Sequence, residues 1–280
     1  MQKGRGVKEA MELQFKSGLA VVICCVVLAA QEPTGQPGAD PEQQFERGMR
    51  YHSGVGVNRS DQQALDLIRK AAERGHAPAQ TVLGFFYESG TLVPRGLQQA
   101  AVWYQKAAEQ GDPVAQWVLG RMYWTGQGVG RDSQQAERWL QKAASQGDAF
   151  GAYLLGVVKD ERDYRSAPEW YRNAAERGLP QAQRRLGQVL KEGRALAQDK
   201  QEAYVWLFLS FEAGNTEAAP DLQQLDGELG SEQVDEAKAR ARKLQEEVSR
   251  SVVAKGCTGW AGEFAAIPST PPPNVQKFCR

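Results

Sequence analysis

The dipeptide Leu-Gly recurs at Leu83-Gly84, Leu119-Gly120, Leu155-Gly156 and Leu186-Gly187, and tryptophan recurs at Trp103, Trp139, Trp170 and Trp206. The first series steps by 36, 36 and 31 residues and the second by 36, 31 and 36. A third series, Gly75, Gly111, Gly147, Gly178 and Gly214, steps by 36, 36, 31 and 36, and Gly48 lies one period before Gly84. Periods of this length mark supersecondary units that cannot bury their apolar faces alone and stack to do so. The 280 residues are therefore an array of small units rather than the two globular domains that length by itself suggests.

Within one period, Ala79, Leu83, Phe86, Tyr87 and Gly90 fall on one side of a 3.6-residue helix. Ala100, Trp103, Tyr104 and Ala107-Ala108 do the same for a second helix, so each unit is a helix pair. The glycines of the third series follow Ala-Ala-Glu-Arg-like runs, where a left-handed C′ residue ends the second helix. Pro78, Pro113 and Pro180 come just after, at the start of the next first helix, where a missing amide costs little. The glycine of Leu-Gly lies mid-helix at about 1 kcal/mol against alanine. Its recurrence predicts close helix–helix approach there, and the tryptophans at repeating positions are expected in the core.

The pattern Ala-x-Ala-Gln-x-x-Leu-Gly-x-x-Tyr-x-x-Gly, followed by Ala-x-x-Trp-Tyr-x-Lys-Ala-Ala-Glu-x-Gly-Asp, resembles the Sel-1-like repeat family, most closely at residues 79–112 and 115–148. Helix pairs of that family stack like tetratricopeptide repeats. The resemblance therefore implies an all-α fold, a right-handed superhelix (α-solenoid) of about five helix-pair repeats over residues 41–214.

Two departures stand out. The unit beginning at Ala149 lacks five residues after its first helix, so Gly126-Gln127-Gly128-Val129 has no counterpart there. Ser166-Ala167-Pro168-Glu169 reads as a capping box opening a shortened helix, with the proline in its first turn. Residues 215–250, with Val234, Ala237, Ala241, Leu244 and Val248 at helical spacing, read as a C-terminal helical cap over the last apolar face. Residues 31–40 are a linker by composition, and 251–280, with Pro271-Pro272-Pro273, are a tail that is disordered or laid along the solenoid.

Residues 1–30 read as a secretory signal: Lys3, Arg5, Lys8 and Lys16 precede Gly18 to Ala30, thirteen residues with no polar side chain but two thiols. At 1.5 Å each these residues span about 20 Å, short of the hydrocarbon core. An uncleaved anchor is the alternative, and Met11 is a second candidate start. Ile23 and Cys24, the residues before the two leader cysteines, are not the small residue that lipidation requires. Cleavage after Ala30 leaves 30 basic against 32 acidic residues, a nearly neutral mature chain, and the signal implies that this chain is periplasmic or secreted and does not span the membrane. Lys+Arg and Asp+Glu are 34 each over the whole sequence, which leaves no basic excess for nucleic acid. Cys257 and Cys279 are the only cysteines beyond the leader, and in an oxidising compartment they form a disulfide or stay as two thiols.

Signs of chemistry are absent. The two histidines, His52 and His76, lack partners at metal-ligand spacing, and no nucleophile, zinc-protease or phosphate-loop motif occurs. No catalytic residue, metal or cofactor is expected. Carboxylates such as Glu88 and Asp160 read as a solvated face. Relatives linked to penicillin-type ligands carry a disulfide in each repeat, and this chain has no such cysteines.

In the first helices, the positions opposite the repeating core change chemistry from unit to unit. They read Phe45/Met49/His52, Thr81/Phe85/Glu88, Trp117/Arg121/Trp124, Tyr153/Val157/Asp160 and Arg184/Gln188/Lys191. First helices line the concave side of such a superhelix, so Phe45, Met49, Phe85, Trp117, Arg121, Trp124, Tyr153, Arg184 and Lys191 are the candidate protein-binding residues. They predict a groove that is aromatic at one end and basic at the other. The competing expectation is that these aromatics pack against adjacent helices. Together these features suggest a non-catalytic scaffold or adaptor of the bacterial cell envelope that binds a protein or peptide. A glycan-binding module, with Trp117, Trp124 and Tyr153 stacking on sugars, and an envelope enzyme for cell-wall or β-lactam substrates are the alternatives.

Overall fold

The protein is described by a computed structural model over residues 40–254, with side chains through residue 247. The leader, nearly all of the linker, most of the tail and the Cys257/Cys279 pair lie outside the described residues. The described chain holds twelve α-helices and no strand. Five pairs follow one another: α1 (Pro41–Ser53) with α2 (Asp61–Glu73), α3 (Ala77–Ser89) with α4 (Leu97–Glu109), and α5 (Pro113–Thr125) with α6 (Ser133–Ser145). Then come α7 (Ala149–Arg162) with α8 (Ala167–Ala175), and α9 (Pro180–Glu192) with α10 (Lys200–Glu212). A short 3-10 turn (Thr216–Ala218), α11 (Ala219–Glu228) and α12 (Ser231–Ala254) complete the chain. Each second helix packs between its own first helix and the next one, and residues 40–248 belong to one compact unit.

The junction between units is built from very few residues. The Gly111 N–H donates to the Ala108 carbonyl and the Asp112 N–H to the Ala107 carbonyl, both at 3.1 Å, with Gly111 at φ 97°. This is the Schellman closure expected of a C′ glycine. Asp112 at once caps the next helix, its carboxylate accepting the Ala115 N–H at 2.7 Å. Gln116, of the Ala-x-Ala-Gln motif, donates to the Ala108 carbonyl at 3.1 Å and accepts from Gln146 at 2.8 Å. Gln80 repeats both contacts one unit earlier, with Ala72 and Gln110. The motif glutamine thus gives a second donor to a helix-end carbonyl that also accepts the C′ glycine N–H, and ties the next first helix to it.

The mid-helix glycines are contact points, as their recurrence predicts. A Cβ at Gly120 would stand 2.7 Å from Leu140 Cγ, and one at Gly84 would stand 3.0 Å from the Tyr104 ring. Gly156 and Gly187 meet Tyr171 and Leu207 in the same way. These partners, all fully buried, lie one position after the repeating tryptophans. The tryptophan expectation needs correction accordingly. Only Trp206 is buried, whereas Trp103, Trp139 and Trp170 are half-buried at the rim. The Lys106 and Lys142 ammonium groups lie 4.2 and 4.0 Å from the Trp103 and Trp139 ring centroids. The line of closest approach runs through the next residue, which points straight at the glycine.

The shortened unit keeps its fold with a nine-residue α8 and Pro168 in the first turn. The capping box is not made: Ser166 takes helical angles, and its hydroxyl donates to the Asp163 carbonyl at 3.0 Å. Five residues fewer leave a tight turn that uses Ser166 itself, so its side chain cannot reach forward to the helix.

At the C-terminal end α10 is apolar all round, with Val205, Trp206, Leu207 and Leu209 buried, and such a helix must be covered on every side. Val234, Ala237 and Ala241 of α12 are buried, and ties from Arg240 to Glu202 (2.6 Å) and from Gln201 to Glu236 (2.9 Å) join α12 to α10. Leu222 of α11 falls 36 residues after Leu186 and is buried like it. The 3-10 turn and α11 therefore take the place of a sixth first helix.

Candidate functional site

Successive first helices touch directly, α5 against α7 for example, and this contact decides what the variable positions can do. Glu88 of α3 and Arg121 of α5, 8% and 3% exposed, form an ion pair, and the Tyr104 hydroxyl donates to the other Glu88 oxygen at 2.9 Å. Burial, with Glu88 beside it, pushes the Tyr104 phenol well above its ordinary value, so it stays a donor. From α5 to α7, the Trp124 indole N–H donates to Glu161 at 3.0 Å, and the Trp117 ring stacks on Phe150 with centroids 5.5 Å apart. From α7 to α9, Arg185 reaches Asp160 at 3.5 Å.

The last step runs from α9 to the cap. Arg184 pairs with Glu217 at 2.5 Å, Lys191 pairs with Asp221, and Gln188 donates to Asp221 at 2.9 Å. Burial opposes ionisation of Asp221. Hydrogen bonds from Lys191 and Gln188, and the charges of Lys191 and Arg184, outweigh it and hold the carboxyl below its usual range.

The nine candidate residues therefore divide. Phe45, Arg121, Trp124 and Tyr153 are buried, at 4%, 3%, 7% and 5% exposure, which corrects the expectation of a continuous solvent-lined groove. Phe45 packs on His76, with ring centroids 5.0 Å apart, and Tyr153 packs on Tyr171 at 6.0 Å. The physical reason is that neighbouring first helices, before or after, cover the flank opposite each unit's own core, and Tyr153 leans in addition on the second helix of its own unit. Met49, Phe85, Trp117, Arg184 and Lys191 are half-buried, but the basic end of the stripe is neutralised by Glu217 and Asp221. Two of the three side chains considered for sugar stacking, Trp124 and Tyr153, have no open ring face to offer. Glu88, read from sequence as solvated, is the buried hub of the row.

What remains at the surface is an aromatic patch. Phe85 and Trp117 both pack their inner edges on the core formed by Tyr104, Leu119, Met122 and their neighbours. Phe150, half-buried against Trp117, was not singled out from sequence. The signal was available, because Phe150 falls one period after Val114 on the same flank. The Arg121 guanidinium carbon lies 5.9 Å from the Trp117 ring centroid, so the ring rests on a cation that Glu88 holds in place.

Gly126-Gln127-Gly128-Val129 is a turn and not a ligand loop. Gly128 has φ 76°, and a Cβ there would meet the Leu97 carbonyl at 2.3 Å. Among the described residues there is no group of three or more His, Cys, Asp or Glu side chains that could hold a metal. Among the same residues no helix is long and apolar enough to cross a membrane.

The Sel1 repeat matches the chain five times, at residues 41–76, 77–112, 113–148, 151–179 and 180–215. The chain is similar to a Sel1 repeat protein of Oxalobacter formigenes, at 30% identity and a TM-score of 0.64, over 73% of this chain and 88% of that one. It is also similar to c5321, described as a protective antigen with an SLR fold present in uropathogenic Escherichia coli strains. There the identity is 31% and the TM-score 0.55, over 74% of this chain and 54% of that one, so the chain spans about half of that relative's length. A comparison with curated protein sequences gives no match.

Proposed function

Because the chain belongs to the Sel1 repeat family, whose members are in general non-catalytic protein–protein interaction scaffolds, we propose that it is an exported adaptor of the bacterial cell envelope. In this reading it holds a segment of a partner protein on the surface formed by Phe85, Trp117 and Phe150. The observation that carries the reading is the Trp117–Phe150 stack. It is a half-exposed aromatic pair locked from below by the buried Arg121–Glu88 ion pair. Aromatic side chains of this kind dominate binding hot spots, and a surface already rigid before binding loses little entropy when a partner docks. The leader supports export, since residues 1–30 have the charge and length of a secretory signal.

The reading is tested by affinity capture from envelope extract with the mature chain and with Trp117→Ala/Phe150→Ala. Both rings are half-buried and link α5 to α7, so the variant should keep its helix content with a lowered melting temperature, and capture is done well below it. A partner retained by the parent and lost by the variant supports the site; a partner retained equally by both overturns it. Amino-terminal sequencing of the protein from fractionated cells tests export. A start at Gln31 or a neighbour is expected, and an intact leader in cytosolic material would overturn it.

A further inference from the structure

The residue immediately before the N-cap of the second helix is arginine in each of the first four units. Arg59 precedes Ser60, Arg95 precedes Gly96, Arg131 precedes Asp132 and Arg165 precedes Ser166. All four are exposed. An arginine there does nothing for the helix, because the N-terminal end of a helix carries partial positive charge and favours acidic residues. Its position is nevertheless fixed. The N–H groups of Ser60, Gly96 and Asp132 donate to the Tyr51, Tyr87 and Tyr123 carbonyls at 2.8–3.0 Å, tying each turn to its first helix. A Cβ on Gly54, Gly90 or Gly126 would stand 3.3–3.4 Å from the Cβ of Arg59, Arg95 or Arg131. The same backbone frame thus presents one guanidinium in each of the first three units along the turn edge; the shortened fourth turn keeps the arginine without that frame, and in the fifth unit Gln198 takes this place while Arg194 lies four residues earlier in the turn.

The partners of these arginines thin out along the chain. Arg59 is tied to Asp61 at 3.2 Å, and Arg131 only approaches Glu161 at 3.9 Å. Arg95 donates through Nε to the Glu88 backbone carbonyl at 3.0 Å. Among the described residues it has no carboxylate within ion-pair distance, and neither do Arg165 and Arg194. Instead, the guanidinium carbons of Arg165 and Arg194 lie 5.9 and 5.1 Å from the centroid of Tyr164, which is 36% exposed. Arg194 comes from the turn of the fifth unit, so the shortened turn of the fourth places Tyr164 beside it. The carboxylates of Asp132 and Asp199 on this edge are occupied in capping backbone N–H groups, and Asp163 accepts the Arg165 backbone N–H.

We propose that Arg95, Arg131, Arg165 and Arg194, with Tyr164 among them, form a second docking surface, for an extended acidic segment of a partner protein. Packed helices lie about 8–10 Å apart, and an extended strand advances about 3.3 Å per residue. A carboxylate at every third residue would therefore meet one guanidinium per unit, in the charge-assisted geometry arginine favours. This surface lies at the turns and shares no residue with the Phe85/Trp117/Phe150 patch.

The test is fluorescence anisotropy of a labelled peptide of four Glu-Ser-Ser repeats with the full chain and with R95Q/R131Q/R165Q/R194Q. The peptide is expected to bind the parent at low salt, to bind the variant at least tenfold more weakly, and to be released as salt rises. A Gln-Ser-Ser counterpart and an isomer with its four glutamates contiguous are expected to bind at least fivefold more weakly than the spaced peptide. Absence of binding by the spaced peptide, equal binding by the variant, or equal binding of the contiguous isomer would overturn the proposal. Tighter binding of a single-stranded RNA of equal charge would overturn the peptide in favour of nucleic acid. The variant is checked by helix content and melting; should it fail to fold, R165Q and R194Q are measured singly, with the same losses expected in smaller degree.

Discussion

Arg121 reaches back from α5 to seat its guanidinium on the carboxylate of Glu88 in α3, thirty-three residues earlier, and both side chains are almost wholly buried. Removing one member leaves an uncompensated buried charge, whereas replacing both with apolar groups removes the desolvation penalty as well. Arg121→Met alone is expected to lower stability by about 3–5 kcal/mol. Glu88→Leu/Arg121→Met should recover most of that loss. Denaturant midpoints of the three proteins check it, and a double variant no more stable than Arg121→Met would sink the idea.

Gly120 has no room for a side chain beside Leu140. Gly120→Ala is expected to destabilise by about 1–3 kcal/mol despite alanine's better helix propensity, because the new methyl would stand 2.7 Å from Leu140 Cγ and 3.2 Å from the Ala136 carbonyl oxygen. Adding Leu140→Ala should relieve the first contact, so the two losses should sum to less than they would independently. Melting curves of the two single variants and the double variant decide this.

Asp148 caps α7, accepting the Gly151 N–H at 2.6 Å, yet burial pushes its carboxyl up to about 6. A carboxyl with a folded-state pKa above its unfolded 3.8 binds its proton more tightly in the native protein. Its contribution is therefore fully present below 3.8 and is lost as pH rises through about 6. Asp148→Asn keeps a good cap without the buried charge. The variant should exceed the parent by about 2 kcal/mol at pH 7 and lose that advantage by pH 4. A parent–variant difference independent of pH would contradict this account.

His76 occupies the same capping place one unit before Asp112, and its Nδ1 accepts the Ala79 N–H at 3.3 Å. Burial lowers its pKa below 6.5, outweighing the nearby carboxylates of Glu42, Asp40 and Glu46. A depressed pKa means that this contribution is complete above 6.5 and is lost as pH falls through the folded-state value. His76→Asn should retain the cap and flatten the acid side of the stability profile. Urea titrations of both proteins between pH 7 and pH 4 measure the slope.

Much of the fold was legible because each unit repeats its solution. The Leu-Gly glycines, the C′ glycines and the prolines of the first turns each report a local steric demand, and Gly84, Gly111 and Pro113 meet theirs where the period places them. The motif glutamines Gln80 and Gln116 were visible in the pattern, but their bonds to helix-end carbonyls were not, since these join a side chain to the backbone of the preceding unit. The candidate site was legible only in part. Helical periodicity places Arg121 and Trp124 opposite the core of their own unit and says nothing of the flank that the next first helix covers.

The sequence by itself determined the architecture, because periodicity and glycine placement are local signals repeated often enough to be read without partners. The tertiary structure alone decided exposure and charge. Glu88 became a buried hub, Arg184 and Lys191 were neutralised by the cap, and the open surface narrowed to Phe85, Trp117 and Phe150 at one place and the arginines of the turns at another. Each of those outcomes depends on which residue of the neighbouring unit stands opposite, and that pairing is set by how one repeat packs on the next.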